Sequence, residues 1–236
     1  MLEVKNLLKT YGAKKAVDNA SFVVKNGELC AFIGKNGAGK TTAIKCICGI
    51  IDFDDGEILI NGKNIKTETI EAKKNIAYIP DNPSLYDFMT GIEYLNFVSD
   101  IYGVSKENRK DRINHYALLF EIKDNLGQEI SSYSHGMKQK LAIISALIHS
   151  PKLIVLDEPF VGLDPSSTHQ LKNIMKDLTK LGTSIFFSTH ILEVAEKLCD
   201  NVIILNDGKV VASGTMKDVL GNQSLENIFL ELSENE

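Results

Sequence analysis

The apolar run Leu29–Ile33 leads directly into Gly34-Lys35-Asn36-Gly37-Ala38-Gly39-Lys40-Thr41-Thr42, and apolar residues at helical spacing continue to Gly49. The run fits G-x-x-x-x-G-K-[ST], a turn that works only between a strand and a helix, so this stretch commits the chain to that order of elements. Gly34, Gly37 and Gly39 carry no β-carbon to clash at positive φ. Successive backbone N–H groups can therefore point inward at phosphate oxygens, beside the positive end of the following helix. Residues 34–42 are candidates for nucleotide binding. Lys40 places a point charge at the β- and γ-phosphates, and the Thr41 hydroxyl offers Mg²⁺ the hard oxygen that ion prefers. The strand and helix on the flanks separate this run from an ordinary glycine turn.

Three distant segments make sense if that phosphate is cleaved. Leu153-Ile154-Val155-Leu156-Asp157-Glu158 is an apolar strand ending in two acids. In an open parallel sheet, ligands collect at the carboxyl ends of strands. Asp157 can hold Mg²⁺ through a water, and Glu158 can act as general base on the attacking water. Acids that merely end a buried strand in solvent would look the same alone; paired with the glycine loop they point to hydrolysis. Asp164 follows, placed to cap a helix with Pro165 at its first position. Phe186-Phe187-Ser188-Thr189-His190 is another strand end, where His190 can donate a hydrogen bond to a γ-phosphate.

Short apolar runs alternate with helical patterns, which predicts an α/β fold: a mainly parallel sheet with helices on both faces. Strands are expected at 28–34, 75–79, 153–157, 184–188 and 201–205. Asn61-Gly62 and Asp207-Gly208 are hairpin signals, hence antiparallel pieces. Residues 86–150 differ and read as a helical insertion. Thr90 and Glu93 have capping-box spacing, Ser105 opens a second helix to Phe120, and a third runs from Gly136 to His149. We expect one domain over residues 1–236, with 1–85 and 151–222 as an α/β nucleotide-binding core carrying an antiparallel β subdomain. Residues 223–236 are expected to form a short amphipathic helix with Leu225, Ile228, Phe229 and Leu232 on one side.

The 236 residues carry a formal charge of −5, which disfavours a nucleic-acid partner. No stretch reaches the roughly 18 consecutive apolar residues of a membrane span, and Met1-Leu2-Glu3-Val4-Lys5 does not begin a signal peptide. Cys30, Cys46, Cys48 and Cys199 all adjoin apolar residues, as buried reduced thiols of a cytosolic protein do, and their spacing does not suit zinc.

Tyr133-Ser134-His135-Gly136-Met137-Lys138-Gln139 lies just upstream of the acid-ended strand. It is another helix start with a hydroxyl and N–H groups, a second anion site. Together with the glycine loop, Asp157-Glu158 and His190, it resembles the nucleotide-binding subunits of ABC transporters over nearly the whole chain. The segment is similar to that family's LSGGQ signature, with Ser134 and Gly136 at its serine and second glycine. The resemblance implies a P-loop ABC ATPase core, ATP and Mg²⁺ as ligands, and a composite site in which one subunit's signature closes on ATP held by a second subunit, identical or related. It implies Tyr11 stacked on adenine, although an aromatic beside a turn glycine also has a plausible structural reading. It implies Asp164 touching the opposite subunit and His190 as the switch histidine.

It further implies a separate transmembrane permease as partner and a cytoplasmic position on the inner face of the cell membrane. The docking surface is expected around residues 83–102, where Tyr86, Phe88 and Tyr94 either face the permease or pack within the insert. Met-Lys-Gln in the signature resembles the branch that exports drugs, antibiotic peptides or lipids. The alternative is a non-transport ABC ATPase acting on nucleic acid or ribosomes; the acidic balance and the lack of long coiled coils or a second cassette argue against it. A GTPase is disfavoured because no NKxD-type guanine reader is present. Two departures stand out. Asp81 sits where the family has glutamine, and either reaches Mg²⁺ through water or organises the Asp81-Asn82-Pro83 turn. His135 replaces a glycine, and either approaches the γ-phosphate in a closed dimer or is a solvated helix-end histidine.

Overall fold

A computed structural model describes residues 1–234, the side chains of 232–234 excepted. The expected contribution of Leu232 to the tail helix, and that helix's extension to 236, lie outside the described residues. In chain order the elements are β1 (Leu2–Tyr11), β2 (Lys14–Val24), β3 (Leu29–Ile33), α1 (Lys40–Ile47), β4 (Asp55–Ile60), β5 (Lys63–Asn64), α2 (Thr69–Lys74), β6 (Ile76–Ile79), α3 (Gly91–Ile101), α4 (Lys106–Leu119), α5 (His135–Ile148), β7 (Leu153–Leu156), α6 (Pro165–Lys180), β8 (Ser184–Thr189), α7 (Leu192–Leu198), β9 (Asn201–Asn206), β10 (Lys209–Thr215), α8 (Met216–Leu220) and α9 (Leu225–Glu234).

Six strands form one sheet in the order β10-β9-β3-β8-β7-β6. All neighbours are parallel except β10, which folds back antiparallel on β9. The central strands β3 and β7 are apolar throughout, β8 carries Ser184, Ser188 and Thr189 around an apolar centre, and every residue in the three is buried, as a sheet covered on both faces requires. Side chains divide between the faces with period two. Cys30 and Phe32 join the cluster with α1 and the second sheet, whereas Leu29, Ala31 and Ile33 join the cluster under α5, α6 and α7. On the first face, Phe22, Phe32 and Phe186 meet with ring centroids 5.1–5.7 Å apart. All four cysteines are buried free thiols.

The second sheet is antiparallel, β2-β1-β4-β5. Both hairpin signals produce the expected turns. Asn61 and Gly62, and Asp207 and Gly208, all have positive φ, as a two-residue turn matched to strand twist requires. The pairing of β1 with β2 is absent from the sequence reading. Register shifts after Val4, Leu7 and Lys9 break its alternation, so no clean period-two pattern marks it.

The helices of 86–150 start where side chains can cap them. Thr90 Oγ1 accepts the Glu93 N–H while Glu93 Oε2 accepts the Thr90 N–H at 2.8 Å, the reciprocal pair expected at α3. Ser105 caps α4 and Ser134 caps α5. Asp164 caps α6 by accepting the Ser167 N–H at 2.9 Å, with Pro165 at the first position. Of the three aromatics that either face a partner or pack within the insert, Tyr94 packs. It is half-buried and burial raises its phenol pKa, whereas Tyr86 and Phe88 are exposed.

Candidate active site

The parallel strands deliver their carboxyl ends to one edge of the sheet. The turn from β3 to α1 lies there, with Gly39 at φ +102. A β-carbon on Gly39 would lie 2.1 Å from the Ala16 carbonyl oxygen, so β2 presses on the loop too closely for any other residue. Lys40 is 7% exposed and folds back across the loop, donating from Nζ to the carbonyls of Gly34 at 2.7 Å and Lys35 at 3.2 Å. Burial lowers its pKa, and Glu158 and Asp157 oppose that shift.

An open cleft of about 420 Å³ brings Tyr11, Asn36, Gly37, Gly39, Lys40, Thr41, Thr42, Asp81, Asp157 and Glu158 together. Gly34, Lys35 and Ala38 belong to the same loop but do not line the cleft. A larger groove of about 630 Å³ between β2 and β10 contains none of these residues. Tyr11 is 54% exposed at the cleft wall, with the Lys9 ammonium 5.3 Å from its ring centre. Asp81 does organise its turn, since its Oδ1 accepts the Asn82 N–H at 2.8 Å, and it also lines the cleft.

The acids are held by the next strand. Parallel pairing of Leu156 with Phe187 sets Asp157 beside Ser188. Ser188 Oγ, fully buried, donates to Asp157 Oδ1 and accepts the Glu158 N–H at 2.9 Å. Asp157 is 1% exposed and its Oδ2 has no hydrogen-bond partner. Glu158 adopts φ +47, unusual for a residue with a β-carbon, and its Oε2 lies 2.9 Å from His190 Nδ1. Since a carboxylate only accepts, Nδ1 carries the proton, and the ring donates through Nε2 only as imidazolium.

A buried carboxylate oxygen with no partner, a loop hydroxyl and further acids beside a phosphate-sized loop are the donors a divalent cation takes, so Asp157, Thr41 and Asp81 fit Mg²⁺. Ser134 and Gly136 are elsewhere. Ser134 is the N-cap of α5 and Gly136 lies in its first turn against Gly162, both outside this cleft. The sequence reading did not select Ser188, Lys14 or Ala16. Ser188 was within reach of it, because parallel register places a strand-end serine beside a strand-end acid. Lys14 and Ala16 carried no local signal, since they reach the cleft only through the pairing of β1 with β2.

The profile of the family described as ABC transporter matches residues 17–161. The ABC-type transporter ATP-binding protein EcsA of Bacillus subtilis (strain 168) is 36% identical over 238 residues, covering 99% of this chain and 96% of EcsA. The SkfA peptide export ATP-binding protein SkfE of the same organism is 37% identical over 211 residues, 89% of this chain and 87% of SkfE. A solved ATP binding subunit of an ABC transporter superposes with a TM-score of 0.95 at 38% identity, covering 99% of this chain and all of that one.

Proposed function

The chain belongs to the ABC transporter family, and from that premise we propose that it is the subunit that binds and hydrolyses ATP to power export through a separate membrane-spanning permease. The observation that carries this reading is the single cleft joining the Lys40 loop to the unpartnered Asp157 oxygen and the Glu158–His190 pair. Export rather than import rests on the likeness to SkfE and on the Met137-Lys138-Gln139 form of the signature.

Residues 34–42 wrap the phosphates with their N–H groups, and Lys40 exchanges its two carbonyl partners for β- and γ-phosphate oxygens. Tyr11 stacks on the adenine. Thr41, Asp157 and Asp81 would hold Mg²⁺, which would supply neutralisation of phosphate charge. Glu158 takes the proton of the attacking water, and His190 fixes its carboxylate through Nδ1. An imidazolium at His190 also donates to the γ-phosphate. Ser134, which already accepts the Met137 N–H, and the earlier N–H groups at the start of α5 close on ATP held by a second subunit. Asp164 touches that subunit.

No described helix is long and apolar enough to cross a membrane. We place the chain on the cytoplasmic face, docked to its permease through the helical insert. Tyr86 and Phe88 are 47% and 79% exposed there, and the Tyr86 ring centre lies 5.9 Å from Phe88 and 5.6 Å from exposed Phe97. Such a contiguous apolar surface fits a protein partner.

The test is an ATP titration of the wild type and Lys40→Ala, with GTP as competitor. Wild type should bind ATP in preference to GTP, and the variant should lose at least about tenfold in affinity, the effect of removing one charge-assisted contact. Equal ATP binding by both proteins, or none by the wild type, rejects the reading.

A further inference from the structure

We propose that His135 is a positioning residue: its ring, seated on Gly162, ties the first turn of α5 to the short loop that carries Glu158. Gly162 has φ +81, and a β-carbon built on it would lie 2.3 Å from Cδ2 and 2.5 Å from Nε2 of His135. The histidine edge thus fills the space that a side chain at 162 would need. The family signature has glycine at the place of His135, and glycine makes no such contact. This goes beyond the assigned ATPase roles, and only its kinetic arm rests on them.

The contact is one of three along one face of α5. A β-carbon on Gly136 would lie 3.3 Å from the Gly162 carbonyl oxygen. Lys140 Nζ lies 3.4 Å from Asp164 Oδ2. Gln139 falls four residues after His135 and three after Gly136, on the same helix face. It is completely buried with neither amide atom partnered, so the face is closed to solvent one turn below the exposed His135 ring.

From Gly162 the path back to the acid is one turn long. The Val161 N–H donates to the Glu158 carbonyl at 3.2 Å, closing Glu158-Pro159-Phe160-Val161. Phe160 packs edge-on against Phe187 of β8, with centroids 5.7 Å apart. Glu158 itself sits at φ +47, a conformation that persists only while its surroundings over-determine it. Ser188 secures one end of the loop and His135 the other. Loosening the His135 end lets Glu158 relax away from His190 without touching any phosphate contact in its own cleft.

The experiment compares wild type with His135→Gly, His135→Ala and His135→Phe, first without nucleotide. Hydrogen exchange at the Val161 amide should accelerate about tenfold in the glycine and alanine variants and stay near wild type in phenylalanine, whose ring fills the same space. In steady state, kcat should fall about five- to tenfold with KM for ATP within twofold in the first two variants, and phenylalanine should restore it. Alanine keeps helix propensity, so agreement between glycine and alanine removes a folding artefact at the helix start. Unchanged Val161 protection in the glycine variant overturns the proposal. So does a phenylalanine variant as impaired as alanine with raised KM, since that assigns His135 to a phosphate on the partner. Because the exchange arm needs no ATP, failure of the ATPase reading leaves it standing.

Discussion

Ser188 shows how much of the site rests on one hydroxyl. It satisfies one oxygen of Asp157 and the N–H of Glu158 together, and it is fully buried. Ser188→Ala leaves both groups without partners, at about 1–3 kcal/mol for each buried orphan. We expect unfolding stability to fall by about 2 kcal/mol and ATP turnover by about tenfold or more, because the Glu158 backbone loses the bond that holds its left-handed conformation. Urea denaturation and single-turnover hydrolysis measure the two effects; a variant with wild-type turnover would show that Glu158 is held by other means. Asp157, Glu158 and His190 were each legible in the sequence as strand-end residues. What the sequence hid was their partnership, because Glu158 and His190 meet only after β7 and β8 align in parallel, 32 residues apart along the chain.

Helix starts were legible because capping is local: Thr90 with Glu93, Ser105, and Asp164 with Pro165 are all written within four residues. β1 and β2 were not legible, because their pairing carries register shifts and alternation fails in β1. The joint between α3 and α5 was equally silent. There His149, ending α5, stacks on Tyr102 with centroids 3.7 Å apart and planes at 11°. Neither ring nitrogen has a hydrogen-bond partner. Burial pushes the His149 pKa down from 6.5 to about 4, and nearby backbone of Ile76 and Ser145 offsets this only in part. The folded pKa lies below the unfolded one, so the unfolded chain takes up the proton first as pH falls. Stability from neutral His149 is complete above pH 6.5 and is lost on descent to pH 4. The loss reaches about 3 kcal/mol at 1.36 kcal/mol per pH unit. His149→Phe keeps the stack without the titration, so its unfolding free energy should fall less than that of the wild type between these limits. Urea denaturation at both ends checks it, and equal losses in the two proteins would exclude His149 as the source.

At the scale of the molecule, the alternation of apolar runs and helices was enough to foresee one parallel sheet, since each strand carries its own signal. The antiparallel sheet and its packing through Phe22 against Phe32 and Phe186 depend on contacts between distant segments. The finished arrangement separates the two ends proposed to bind anions. One is the cleft at the strand ends; the other is the first turn of α5, with Ser134 and Gly136 outside that cleft. A single copy cannot bring its own α5 start to its own cleft without breaking the contacts of His135 and Lys140 with residues 162–164. Two copies related by a two-fold axis can each supply the other's missing wall. On the reading proposed above, ATP is the bridge, and its cleavage removes the bridge. Glu158→Gln keeps side-chain size and removes the base, so bound ATP should persist and hold the pair closed. Sedimentation should show this variant shifting from one copy to two on addition of Mg-ATP. Wild type should return to one copy as ATP is consumed, and Lys40→Ala should remain single throughout. A Glu158→Gln protein that binds Mg-ATP yet stays single, alone and beside its permease, would disprove the composite site; rapid steady turnover by it would instead disprove Glu158 as the base.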